Sequence, residues 1–202
     1  VVLMGGWSAE RDVSLASGTA CAKALRTAGY KVTEVDVDRE IAQNLAGLAP
    51  DVCFNALHGP IGEDGNIQGL LNVMGLPFTH SGVQASAVAM DKPKAKQIFD
   101  KAGLRCPEGI VCSVEDTLAG GAYEPPYVVK PLNQGSSVGV HIIRQGDNHP
   151  PLSNDWPFGD RVLVEKYIPG RELSVGVFDG EALCVTEILS ERGFYDYDAK
   201  YE

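Results

Sequence analysis

The first third of the chain alternates short apolar runs with stretches of helical spacing, and this alternation restricts the fold more than any other feature. Val1-Val2-Leu3-Met4 leads into Gly5-Gly6, the pattern of a buried strand entering a tight loop. A helix is predicted from about Val13 to Ala28, where Leu15, Gly18, Ala22 and Leu25 recur every three to four residues and Gly29 can end it. Val32, Val35 and Val37 mark a second strand. Val52 to Leu57 forms a third, which leads into His58-Gly59. Ile67, Leu70, Leu71 and Met74 then fall at i, i+3, i+4 and i+7, an amphipathic helix closed by Gly75. Strands that alternate with helices lie parallel, with helices on the sheet faces. Ligands gather at the carboxyl ends of such strands.

A second region begins near Ser81. Pro93 fits the first turn of a helix whose apolar face is Ala95, Ile98, Phe99 and Ala102, with Gly103 as its stop. The character then changes. Tyr127 to Lys130, Val140 to Ile143, Arg161 to Ile168, Glu172 to Phe178 and Glu181 to Ile188 all read as strands, and Asp179-Gly180 is a hairpin turn signal. These strands are expected to be antiparallel, so a parallel α/β domain precedes an α+β domain. The polar stretch from Gln145 to Gly159 reads as a surface loop, and no internal repeat is visible.

Composition narrows the class of function. The 202 residues carry 17 basic and 27 acidic side chains, a formal net charge of −10, which argues against a general nucleic-acid binder. No apolar stretch approaches the ~20 residues needed to cross a bilayer. The five cysteines (Cys21, Cys53, Cys106, Cys112 and Cys184) include no C-x-x-C pair. They read as small core residues of a protein in a reducing compartment, so a cytoplasmic location is expected.

Several segments carry possible chemistry. Asn133 to Gly139, with Ser136 and Ser137, links two strands. It suits either a plain hairpin or a loop that wraps nucleotide phosphates with N–H groups and hydroxyls. Lys130 ends the apolar strand before it and could reach a phosphate as a point charge, or could simply be solvated. Lys92 begins a helix and alone reads as a surface lysine. Glu165-Lys166-Tyr167-Ile168 closes a strand before Pro169-Gly170; it could hold an adenine edge, with Glu172 accepting from ribose, or be an ordinary strand end. Glu10, in a glycine-rich loop, could receive a substrate ammonium group or serve as a helix-start carboxylate. His58 follows a strand and has Glu63 and Asp64 nearby, but the spacing is not that of a dedicated metal site. Phe194 to Tyr201 reads as a mobile lid or an exposed loop.

In chain order these segments are GGWSAERDVSL, ALHGPIGEDGNIQG, SGVQASAVAMDK, VVKPLNQGSSVGV, VLVEKYIPGREL and FYDYDAKY. Together they resemble the D-alanine–D-alanine ligases of the ATP-grasp superfamily, from Gly5 to Tyr201. The resemblance implies a Rossmann-like, pre-ATP-grasp α/β domain followed by an ATP-grasp domain incomplete at its carboxyl end. It implies an α/β substrate domain over residues 1–82, a central ATP-grasp subdomain over 83–168 and the start of a carboxyl-terminal subdomain, with the lid, over 169–202.

The resemblance also implies an activity: ATP-dependent ligation of two D-alanines through an acyl phosphate, for peptidoglycan synthesis. By position, Glu10, Ser136 and Tyr201 match the catalytic set around the first D-alanine, with His58 and Tyr195 as further substrate contacts. Lys92, Lys130, Ser136, Ser137 and Lys200 match groups on the ATP phosphates; Glu165, Lys166, Tyr167 and Ile168 match the adenine hinge, and Glu172 the ribose contact. ATP as cosubstrate, Mg2+ or Mn2+ and a homodimer are implied too. No metal ligand is expected in this sequence, because the family's ligands and its oxyanion arginine follow the lid. The chain opens at Val1 without an initiator methionine and stops at Glu202, so a portion of a longer protein is expected, one not catalytically complete by itself. Another ATP-grasp carboxylate–amine ligase would share Lys130, the glycine loop and the hinge. A non-catalytic nucleotide-binding fragment is the alternative from another class. The G-x-G-x-x-G fingerprint of a Rossmann oxidoreductase is missing.

Overall fold

The structure, a computed structural model, describes residues 1–119, 123–147, 152, 156–189 and 200. It divides into two compact units, one formed by residues 1–106 with 132–136, the other by 107–131 with 137–202.

The first unit contains β1 (Val2–Met4), α1 (Arg11–Thr27), β2 (Glu34–Asp36), α2 (Ile41–Leu48), β3 (Cys53–Asn55), α3 (Asn66–Val73), β4 (Phe78–Thr79), α4 (Val83–Met90) and α5 (Lys92–Lys101). Its sheet has the order β2-β1-β3-β4, and every pairing is parallel. Successive strand residues point to opposite faces, and β1 shows the result. Leu3 joins Val37, Ile41, Leu45, Cys53, Ile67 and Leu71 in one core, so α2 and α3 cover that face. Val2 joins Ala22 and Ala56 in another, so α1 covers the opposite face.

The second unit contains β5 (Gly109–Ser113), α6 (Val114–Ala119), β6 (Tyr127–Pro131), β7 (His141–Ile143), β8 (Arg161–Lys166), β9 (Glu172–Phe178) and β10 (Glu181–Ile188). The sheet β5-β8-β6-β7 is antiparallel throughout. Tyr127 and Val129 of β6 meet Val162 and Val164 of β8 and Ile143 of β7 in its core. Strands β9 and β10 form a separate antiparallel pair, turned by Asp179 and Gly180 with φ of 48° and 79°. Two positive φ values at a two-residue turn match the right-handed twist of the flanking strands.

Five elements lie beyond the sequence expectations: α2, β4, α4, β5 and α6. Strand β4 has only two residues, and α4 is small or apolar at every position but Gln84, so neither carries a periodic signal. Helix α1 begins two residues earlier than its apolar spacing indicates.

Glycine at two helical positions has opposite consequences. A Cβ on Gly18 of α1 would lie 2.5 Å from Met4 Cβ and 2.6 Å from its sulfur, so the helix approaches β1 through that missing methyl. A Cβ on Gly69 of α3 would meet nothing within 4 Å. Gly18→Ala is therefore expected to destabilise the protein by about 1–3 kcal/mol through overpacking. Gly69→Ala should stabilise it by about 0.5–1 kcal/mol through helix propensity. Urea midpoints followed by circular dichroism check both, and equal shifts of the same sign would refute the packing account.

Candidate functional site

Parallel strands β1 and β3 are neighbours, so the loops that leave their carboxyl ends come together. The Ser14 hydroxyl of α1, fully buried, accepts the Gly5 N–H at 2.9 Å and donates to the Ala56 carbonyl at 2.7 Å. A second hydroxyl repeats the link: Ser8 Oγ accepts the Glu10 N–H at 3.2 Å and donates to the His58 carbonyl at 2.8 Å. Arg11 adds a third tie. Its Nη1 donates to Gly6 O at 2.7 Å, and the guanidinium grips Asp36 at 2.7 and 2.5 Å. That pairing holds the Asp36 carboxyl below the usual carboxylate range and raises Arg11.

Glu10 precedes α1, yet its side chain makes no capping bond and is buried, 3% exposed. Gly59, with φ +70°, passes so near that a Cβ there would lie 2.5 Å from Glu10 Oε2, so only glycine fits. Glu63 Oε2 accepts the Gly59 N–H at 2.7 Å, and His58 Nε2 lies 3.3 Å from Ser17 Oγ. A Cβ on Gly135 would be 3.5 Å from the same Glu10 oxygen. Glu10, the His58 loop and Gly135 thus converge. Lys92 ties the 132–136 segment to this unit: its backbone N–H reaches Leu132 O at 3.1 Å and its ammonium reaches Gln134 O at 2.5 Å. Beside it lies a cavity of about 330 Å³ lined by Glu63, His80, Ser86, Lys92, Gln134 and neighbours. The next two residues, Ser136 and Ser137, both have left-handed φ, 52° and 60°. A carboxylate buried at glycine-lined strand ends suits a small ligand carrying an ammonium group.

In the second unit, Lys130 of β6 makes an ion pair with the buried Glu165 of β8. Lys200 Nζ donates to Ser137 Oγ at 2.9 Å. The Lys166 N–H bonds Glu108 O at 2.9 Å and the Tyr167 N–H bonds Pro126 O at 3.2 Å, which fixes the end of β8. Ile168 and Glu172 beyond it are exposed. Tyr195 and Tyr201 lie outside the described residues, as does the rest of the lid motif apart from Lys200. Among the described residues no group of three or more His, Cys, Asp or Glu side chains could hold a metal ion. No described helix is long and apolar enough to cross a membrane.

The chain matches two family models, D-ala D-ala ligase N-terminus over residues 40–81 and D-ala D-ala ligase C-terminus over 114–202. It is 56% identical to a D-alanine–D-alanine ligase of Rhodospirillum rubrum, over 99% of this chain and 68% of that one. The chain belongs to the D-alanine–D-alanine ligase family. A relative of the same name from Parvibaculum lavamentivorans is 54% identical over 100% of this chain, which spans 66% of that relative's length. Among solved structures, D-alanine–D-alanine ligase from Bacillus anthracis superposes with a TM-score of 0.74 at 30% identity, covering 96% of this chain and 67% of that one. The B. anthracis ligase complexed with ATP gives 0.75 at 28% identity.

Within this family member, sequence reasoning overlooked Ser14, Gln68 and His80. Gln68 carried a faint signal, because a polar residue there adjoins the Ile67–Leu71 stripe and is fully buried. His80 carried none, since its partners come from other elements. The Lys130–Glu165 pair yields a test. Removing one member of a buried ion pair leaves an uncompensated charge, so Lys130→Met should cost about 3 kcal/mol. Lys130→Met with Glu165→Leu should regain most of that loss. Guanidinium unfolding of the two variants decides: a double variant as unstable as the single one contradicts the pairing.

Proposed function

We propose that the protein carrying this chain joins two D-alanine molecules into D-alanyl-D-alanine at the expense of ATP. The observation that carries the reading is Glu10, a carboxylate buried at the carboxyl end of β1 against the His58–Glu63 loop, in a chain of this family. Glu10 receives the ammonium group of the first D-alanine, Ser136 and Tyr201 complete its hydrogen-bonded set, and His58 and Tyr195 contact the same substrate. Lys92, Lys130 and Lys200 offset the charge of the ATP phosphates, with Ser136 and Ser137 supplying donors. Glu165, Lys166, Tyr167 and Ile168 hold adenine, and Glu172 holds ribose. Residues 1–82 form the substrate domain, 83–168 the central ATP-grasp subdomain and 169–202 the start of the next.

The physical problem is electrostatic. The first D-alanine's carboxylate must approach a polyanion, so cations have to lower the potential along its path. Its oxygen then bonds the γ-phosphorus and ADP leaves, giving an acyl phosphate. The amine of the second D-alanine attacks that carbonyl, phosphate departs, and the amine loses a proton as the peptide bond forms. Water must be kept out, or the acyl phosphate hydrolyses; the lid over Phe194–Tyr201 serves that need. Mg2+ or Mn2+ is the metal of this reading and would supply further positive charge at the phosphates; among the described residues no group of three or more His, Cys, Asp or Glu side chains could hold it. The product serves peptidoglycan synthesis in the cytoplasm, and the working form is a homodimer.

Phosphate release from ATP, measured with D-alanine and with L-alanine on the full-length protein, tests the reading. Release with D-alanine alone is expected. Glu10→Gln should raise the KM for the first D-alanine by about 30-fold or more, because a desolvated charge pair contributes on the order of 2–5 kcal/mol. A full-length folded protein with no D-alanine-dependent release would overturn the assignment.

A further inference from the structure

We propose that His80 is a positioning residue for the first-substrate site, acting through Gln68 on the loop from His58 to Gly65; the substrate named here rests on the ligase reading above. His80 follows β4 and has φ 156°, a conformation costly for any residue with a side chain. Such backbone persists only where its surroundings hold it. Here the imidazole Nδ1 lies 3.0 Å from Gln68 Nε2 and 3.4 Å from Ser86 Oγ. Ser86 Oγ in turn donates to the Ser81 carbonyl at 3.2 Å.

The hydrogen-bond arithmetic fixes the ring. Gln68 is fully buried, and its Nε2 donates to the Gly62 carbonyl at 2.7 Å. A carbonyl only accepts, so the amide cannot be reversed without setting oxygen against oxygen. The second hydrogen of Gln68 Nε2 therefore goes to His80 Nδ1, and the imidazole carries its own hydrogen on Nε2. Gln68 Oε1 has no hydrogen-bond partner among the described residues, so the amide is held through its nitrogen alone. His80 is itself exposed and its bond to Gln68 part-buried; taking away the Nδ1 acceptor removes the only protein partner of that Gln68 hydrogen among the described residues and frees the amide to turn.

The consequence reaches Glu10, the carboxylate that receives the substrate's ammonium group. Gly62 O accepts from both Gln68 and Asn55 Nδ2, the latter at 2.8 Å. The neighbouring Glu63 holds the Gly59 N–H, and Gly59 abuts Glu10. A loosened Gly62 shifts the backbone against which Glu10 is set. His80 touches no reacting atom in this scheme; it keeps the loop in register.

Two variants in the full-length protein separate positioning from simple structural loss. His80→Ala removes the acceptor. His80→Asn puts an amide oxygen where Nδ1 was. The alanine variant should raise the KM for the first D-alanine about tenfold at most, the worth of one hydrogen bond to a buried amide, with kcat and the KM for ATP changed less than about twofold. The asparagine variant should stay within about twofold of the parent. An unchanged D-alanine KM in His80→Ala, an asparagine variant as impaired as alanine, or an equal rise in the ATP KM would overturn the proposal. The tautomer is read independently by long-range 1H–15N spectra of histidine-labelled parent protein, with His80 assigned by the peak that His80→Asn removes. A bare Nδ1 and a protonated Nε2 are expected; the opposite tautomer sinks the proposal even if the alanine variant fails to fold. Absence of D-alanine-dependent turnover in the parent would instead count against the ligase reading, and the spectra would still decide the hydrogen-bond scheme.

Discussion

The Ser14 hydroxyl, buried in α1, takes the Gly5 N–H and gives its own hydrogen to the Ala56 carbonyl, and the geometry of the first unit's site depends on that exchange. Both groups it satisfies lie just past strand ends, where the sheet no longer supplies partners. Buried backbone groups must find them elsewhere. One side chain serves a donor from one loop and an acceptor from another, so the loops cannot drift apart without leaving two polar groups unpaired. Ser8 adds a parallel tie closer to Glu10. Within this frame Gly59 can run against the carboxylate, and the missing Cβ becomes a requirement of the site.

The second unit meets a different constraint. Lys130 and Glu165 sit on adjacent antiparallel strands, with Glu165 out of solvent. Burying such a pair gains little stability over an apolar alternative, which makes its presence in a well-packed sheet informative. It holds a long, flexible cation in one place at a strand end. A lysine whose stem is already ordered loses less entropy when it meets an anion.

Much of this arrangement was legible in the sequence, and the remainder failed for physical reasons. The parallel sheet followed from strand–helix alternation, and the β9–β10 turn followed from Asp179-Gly180. Val35 marked β2 correctly, while Val37 lies just outside that strand and still enters the core. Apolar residues report burial more faithfully than they report backbone state. Glu10 was flagged by its loop; its inward turn depends on Ser8, His58 and Gly59, residues that only the fold brings together. His80 was beyond reach, and Gln68 nearly so, for a related reason. A polar residue is readable in a core only through its partner, and theirs lie six or more positions away along the chain.

The five residues 132–136 belong to the first unit although the chain on both sides of them belongs to the second. Lys92 finds two acceptors in that short return, Leu132 O and Gln134 O. Neither unit is thus a contiguous stretch of polypeptide. Recombination that exchanged residues 1–106 as a block would set a different residue 92 against the retained carbonyls of Leu132 and Gln134, and a different residue 10 against Gly135. The first unit is accordingly not inherited as one uninterrupted stretch of gene, and the residue at position 92 must suit a backbone encoded some forty codons further on.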